Sequence, residues 1–256
     1  MPDATDILIA LAVIAPFIGS FLGVLVVRLP ERRPVLIGRS RCDRCGAALG
    51  ARDLVPLASW LWLRGKCRQC GAAIGAFPVL MELAALAVVL WAATETSGGM
   101  LVAACVFGWL LLALAVIDWQ RFLLPDALTA PLALFGLAAA WFLDRGAFLN
   151  HVIGCAAGFL VFAGITVLYR RLRGREGLGL GDAKLLGALG AWVSWQGLPS
   201  VIFIGAVTGL LFVLVQSLAG RRIEATTRIP FGTFLALCGW LVWLYAPLIA
   251  SISTPG

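Results

Sequence analysis

The chain has 256 residues, of which 61% are hydrophobic and only 13% charged, with a mean hydropathy of +0.98 and a formal net charge of +7. A soluble globule of this length needs far more polar surface, so composition excludes a water-soluble domain and points to a protein whose solvent is mostly lipid. The absence of any alternating barrel pattern leaves helices as the spanning elements, because a backbone in hydrocarbon must satisfy its own hydrogen bonds.

The first apolar stretch, 7–27, ends in charge at Arg28 with no small-residue cleavage site placed behind it, and reads as a retained helix rather than a removable signal. Seven more stretches long enough or nearly long enough to span follow at 76–93, 100–117, 127–143, 150–169, 183–195, 199–219 and 231–251, of which 183–195 is short. The expected fold is all-α: a polytopic bundle of about eight transmembrane helices with a small zinc-binding cytoplasmic loop module. Its parts are a first helix over 1–27, a cytoplasmic zinc-knuckle module over 28–75 and a catalytic transmembrane bundle over 76–256.

Of the 20 Lys and Arg, ten crowd into the first connection, from Arg28 to Arg68, and the rest except Arg145 fall in the third, fifth and seventh. The positive-inside rule then places those connections in the cytoplasm and both termini outside, in a bacterial inner membrane. A basic loop beside a membrane serves topology and anionic headgroups, so membrane lipids rather than nucleic acid are the expected partners.

Within the first connection lie Cys42-Asp43-Arg44-Cys45 and Cys67-Arg68-Gln69-Cys70, each followed by glycine, Gly46 and Gly71. Two such knuckles suit tetrahedral zinc held by four thiolates; disulfides are the alternative, disfavoured by a reducing cytosol. With four protein ligands the metal has no open position, so its role is structural. Cys105, Cys155 and Cys238 lie inside expected spans and read as small packing residues, and the single His151 reads as an interfacial residue near the outer face.

Four acidic residues stand at membrane depth, where charge is costly: Glu82, Asp118, Asp126 and Asp182. Asp118 closes the third span and Asp182 opens the sixth, after Gly177-Leu178-Gly179-Leu180-Gly181, so both lie at cytoplasmic helix ends. Two carboxyls meeting there are expected to share one proton, which equips them for peptide hydrolysis by activated water. Gly179 and Gly181 let an extended substrate approach the backbone. Asp126 reads first as an N-cap of the fourth span. Glu82, inside the second span, is kept neutral, paired with a basic residue, or lines a polar site. Lys184 biases the charge of the pair or, more plainly, snorkels.

Taken together, Gly19-Ser20-Phe21-Leu22 with Arg28-Leu29-Pro30, the paired knuckles, Pro78 with Glu82, and Asp118 with Leu124-Pro125-Asp126 resemble the type IV prepilin peptidases, of the GxGD class of intramembrane aspartyl proteases. Gly179-Leu180-Gly181-Asp182-Ala183-Lys184-Leu185 and Ile229-Pro230-Phe231-Gly232 extend the match over most of the chain. The resemblance implies Asp118 and Asp182 as the catalytic pair and a prepilin or pseudopilin substrate, of pili or type II secretion, cut on the cytoplasmic side. Many members also methylate the new N-terminus with S-adenosylmethionine, in a manner tied to the cysteine-bearing half. Gly23 stands where members often carry Asn. A membrane methyltransferase without proteolysis and an ion-coupled transporter are the competing readings; the sequence carries no signal of oligomeric state.

Overall fold

The computed structural model describes the backbone of residues 3–35, 40–173, 179–220 and 229–253, and their side chains except at 173 and 246–253. Gly177, Leu178 and the basic residues Arg39, Arg175, Arg221, Arg222 and Arg228 lie outside the described residues. The described chain is helical: α1 (Ala4–Arg28), α2 (Ala58–Trp62), α3 (Phe77–Glu95), α4 (Gly98–Arg121), α5 (Asp126–Leu143), α6 (Phe148–Arg173), α7 (Leu180–Leu218) and α8 (Phe231–Ser253). Six of these are long and apolar enough over their described residues to cross a membrane, and Phe231–Tyr245 is a shorter apolar stretch of α8. The chain divides into two compact units, Met1–Cys105 and Val106–Gly256.

In the first unit, α1 and α3 pack along one stripe each. Ala15, Gly19, Leu22, Gly23 and Val26 are buried on α1, and Met81, Glu82, Ala85, Val89 and Ala92 on α3. Lipid offers no hydrophobic drive between helices, so close packing of small residues has to hold them together. Gly19 shows this: a Cβ there would lie 2.5 Å from the Met81 carbonyl oxygen and 2.6 Å from the Glu82 Cα. The outer faces, with Ile9, Val13, Phe17, Leu80 and Leu90, stay exposed as lipid requires.

Between α1 and α3 the chain builds two small hairpins of the same design. Cys42 N–H donates to Ala47 O and Gly46 N–H to Cys42 O; Cys67 N–H donates to Ala72 O and Gly71 N–H to Cys67 O. Gly46 and Gly71 have φ of 69° and 68°, a conformation that side-chain-bearing residues resist. Isolated bridges pair Arg41 with Ala48 and Lys66 with Ala73, so the two knuckles share one pairing register on one cysteine spacing.

The second unit is a bundle in which α6, α7 and α8 make the main contacts. Glycines line the α6–α7 seam: a Cβ on Gly154 would lie 2.5 Å from Gly190 O, and one on Gly158 would lie 2.6 Å from Leu186 O. A single 39-residue helix is nearly twice as long as a bilayer needs, and α7 is in fact broken at Ser194 (φ 58°, ψ 179°). α8 shows what the break does. Going up α8, Phe234 meets Gly209, Leu235 meets Gly205 and Val242 meets Gly197, so the later arm of α7 runs antiparallel to α8. The earlier arm runs parallel to it, from Asp182 near the start of α8 to Leu189 against Gly239. The chain therefore reverses at Ser194, and the expected sixth and seventh spans are the two arms of α7.

Close to the break, side chains reach backbone carbonyls of α7 and α5. His151 Nδ1 lies 3.0 Å from Ala191 O, which fixes the Nδ1–H tautomer because a carbonyl only accepts. The histidine expected near the outer face is thus tied to the turn. Trp192 donates from Nε1 to Leu132 O at 2.8 Å and stacks on Phe107 with centroids 4.4 Å apart. Gly136 admits the indole, since a Cβ there would meet Trp192 Nε1 at 2.7 Å.

Candidate active site and metal centre

Four helix ends of the second unit converge around Asp118, which sits in the last turn of α4 and is only 5% exposed. α8 begins against it. The N–H of Thr233, third residue of that helix, donates to Asp118 Oδ2 at 2.7 Å, and the Thr233 Oγ lies 3.1 Å from the same oxygen. The N–H also reaches Pro230 O at 3.2 Å, so one of the orphan donors at the start of α8 is shared between turn and carboxylate. A hydrogen bond to a charged group is worth about 1.5–3 kcal/mol, and the positive end of the α8 dipole adds to it. Gly232 permits the approach: a Cβ on it would lie 3.0 Å from Asp118 Oδ2 and 2.9 Å from Leu124 Cδ1.

α7 begins beside this point. Gly179 precedes the helix with extended backbone (φ −74°, ψ 143°), and Asp182 lies in its first turn with its N–H on Gly179 O at 3.1 Å. The Asp182 carboxyl is half-buried and within electrostatic reach of Asp118. Leu124 joins the two helix starts, since the space beside Gly181 is filled by Leu124 at 3.3 Å and the same side chain faces Gly232. The Gly-x-Gly spacing thus admits a leucine between two helix ends, in addition to leaving Gly179 exposed.

Asp126 is the first helical residue of α5 behind an extended Pro125, which takes the cap position itself. Its carboxylate serves a different end from the expected N-cap. Both oxygens accept from Lys184 Nζ, at 2.7 and 2.8 Å, which also replaces the snorkelling reading of Lys184 with an ion pair from α5 to α7. Thr233 is the residue that sequence reasoning missed. Its only signal was its place directly after Ile229-Pro230-Phe231-Gly232, three residues past a proline that marks a helix start.

The other groups belong to the first unit. Glu82, 5% exposed, accepts at 2.7 Å from the N–H of Leu57. Leu57 has φ 59° and ψ −52°, and Ala58 N–H donates across it to Pro56 O at 2.5 Å, the rarer and strained kind of γ-turn. The buried carboxylate therefore clamps an unfavourable turn. Asp53 accepts from Arg68 Nε at 2.8 Å and from Gly50 N–H at 3.2 Å, contacts that hold its carboxyl below the usual range. Between α1, α3 and the knuckles is a cavity of about 800 Å³, lined among others by Arg28, Asp53, Trp60, Phe77 and Glu82.

Cys42, Cys45, Cys67 and Cys70 bring their Sγ atoms within 4.8 Å of one another. Cys42 Sγ and Cys70 Sγ are 3.8 Å apart, far longer than a disulfide and close to the edge of a tetrahedron with metal–sulfur bonds of about 2.3 Å. The cluster can hold a metal ion.

Two family models match this chain: the bacterial peptidase A24 N-terminal domain over residues 13–96 and the type IV leader peptidase family over 105–214. Relatives called prepilin leader peptidase/N-methyltransferase are similar along most of its length. The one from Aeromonas salmonicida is 39% identical, over 91% of this chain and 88% of its own. That from Dichelobacter nodosus is 36% identical, over 92% and 90%.

The chain belongs to the type IV leader peptidase family.

A third relative of the same name, from Burkholderia pseudomallei, is 43% identical over 82% of this chain and 68% of its own. No solved structure matches. The two models of the leader peptidase family fall on the two compact units, so the helix ends around Asp118 lie within or next to the peptidase match and the cysteine cluster within the N-terminal match.

Proposed function

We propose that this protein is an intramembrane aspartyl endopeptidase that removes the leader of type IV prepilins or pseudopilins, with Asp118 and Asp182 as its catalytic residues. The observation that carries this is the convergence of both carboxyls, on separate helices, at one end of the second unit. Sharing one proton, the pair does both halves of the work. The ionised carboxyl takes a proton from water as the water oxygen bonds to the scissile carbonyl carbon, and the protonated one gives its proton to the carbonyl oxygen. Collapse breaks the C–N bond with a proton delivered to the leaving amine, and the pair again holds one proton. The positive-inside pattern supports placing this end at the cytoplasmic face of a bacterial inner membrane, where the substrate's apolar stem stays in lipid. Asp118→Ala and Asp182→Ala are each expected to abolish cleavage of a prepilin peptide, read by mass spectrometry, while the protein still inserts. Substantial residual cleavage in either variant refutes the pair.

The relatives' second activity fits the first unit. The four cysteines favour zinc as a structural ion, and the cavity beside them suits S-adenosylmethionine. Its volume is in the small-molecule range, and it offers a guanidinium for a carboxylate, buried acid for a cation and two aromatic faces for a base. When bound, that cofactor supplies an electrophilic methyl group. Equilibrium dialysis of labelled cofactor against the purified protein tests the site without any turnover, and binding unchanged by Trp60→Ala and Glu82→Ala excludes this cavity.

A further inference from the structure

The hydroxyl of Thr233 lies 3.1 Å from Asp118 Oδ2 and also 3.0 Å from the carbonyl oxygen of Ala115, one turn earlier on α4. A hydroxyl has one hydrogen, and a backbone carbonyl can only accept. Both contacts therefore cannot be donated by Thr233 at once. When Asp118 is ionised, Oγ–H turns to Oδ2. When Oδ2 carries a proton, the carboxyl donates to Oγ and Oγ–H turns to Ala115 O. Either way both contacts of the hydroxyl survive with no movement of heavy atoms, whereas the Thr233 N–H, a donor only, suits the ionised form of the same oxygen.

We infer that Thr233 is the positioning residue of the aspartate pair, a hydroxyl that holds Asp118 in one place in both of its protonation states. This rests on the reading of Asp118 as catalytic. A carboxyl that gains and loses a proton in each turnover meets partners that suit only one of its forms, and it is free to rotate in the other. Peptide hydrolysis requires the opposite, since the carboxyl that took a proton from water must return it from the same position. A donor-only partner such as Lys or a backbone N–H cannot follow the change. A rotating hydroxyl backed by a carbonyl can, and the start of α8 supplies one where Gly232 lets helix and carboxyl meet.

The test compares full-length Thr233→Val, Thr233→Ala and Thr233→Ser with Asp118→Asn, reconstituted in lipid and given a prepilin-like peptide with its apolar stem. Thr233→Ser is expected to keep kcat within about threefold, whereas Val and Ala lower it by roughly 10- to 100-fold with KM within about twofold, as for a misplaced reacting group. A loss of packing alone gives the reverse order, because Val preserves the shape and Ser does not. Val with native kcat, or Ser as impaired as Ala, overturns the inference while leaving the aspartate pair intact. Asp118→Asn that still cleaves takes down the pair and the inference together. If Thr233→Val fails to insert, the ratio of Ser to Ala decides alone, since both lack the methyl and differ only in the hydroxyl.

Discussion

At Gly232 the absence of a side chain is what the site uses. A methyl group added there falls 3.0 Å from Asp118 Oδ2 and 2.9 Å from Leu124 Cδ1, so Leu124 must shift and the carboxyl must give by a few tenths of an ångström. Gly232→Ala is therefore expected to cut cleavage by roughly 3- to 30-fold through displacement of the carboxyl, with insertion retained; a peptide-cleavage assay beside a membrane-fraction blot checks both. Glu82 makes a complementary case, because its carboxylate satisfies the Leu57 N–H. Glu82→Ala leaves that part-buried donor without its partner, at a cost toward the lower end of about 1–3 kcal/mol, while Glu82→Gln keeps an acceptor. Thermal unfolding followed by fluorescence is expected to show a clear drop for Ala and a small one for Gln, and equal drops count against the clamp. The ion pair of Lys184 with Asp126 is exposed, 41% and 69% at the side chains, so a double-mutant cycle on cleavage or stability is expected to couple the two by less than about 1 kcal/mol.

At the scale of elements, the sequence was most legible where chemistry and backbone demand coincide. Each knuckle pairs Cys-x-x-Cys with a glycine at positive φ, and both appear in the structure as written. The helix limits also follow from charge and turn residues to within a few positions. What stayed hidden was a residue's partner across the bundle: nothing local to Asp126 shows that Lys184 will reach it, and nothing local to Asp118 shows that α8 will start against it. Cap rules read neighbours in sequence, whereas these contacts come from tertiary packing. The knuckles give an element-scale prediction in turn. Purified protein is expected to carry about one zinc per chain by plasma mass spectrometry, lost in Cys42→Ser or Cys67→Ser and kept in Cys105→Ser, whose sulfur lies buried in α4 apart from the cluster's four ligands.

For the molecule as a whole, the break at Ser194 decides how the chain is threaded. Were α7 one crossing, its 39 residues would extend about 58 Å, against about 30 Å of hydrocarbon, and the bundle would cross the membrane seven times with its termini on opposite sides. With the reversal at Ser194 the expected number is eight, and Leu218 returns toward the end that holds Asp118 and the start of α8, as the pairing of Gly209 with Phe234 requires. The charge pattern agrees, because the connection after α7 carries Arg221, Arg222 and Arg228 whereas the turn at Ser194-Trp195-Gln196-Gly197 carries no basic residue. Alkaline phosphatase, active only outside the cytoplasm, separates the two threadings when fused after successive elements. Fusions at Gly146 and Gln196 are expected to be active and those at Arg171 and Gly220 inactive. An active fusion at Gly220 with an inactive one at Gln196 would mean a single crossing, and would remove the later arm of α7 from beside α8.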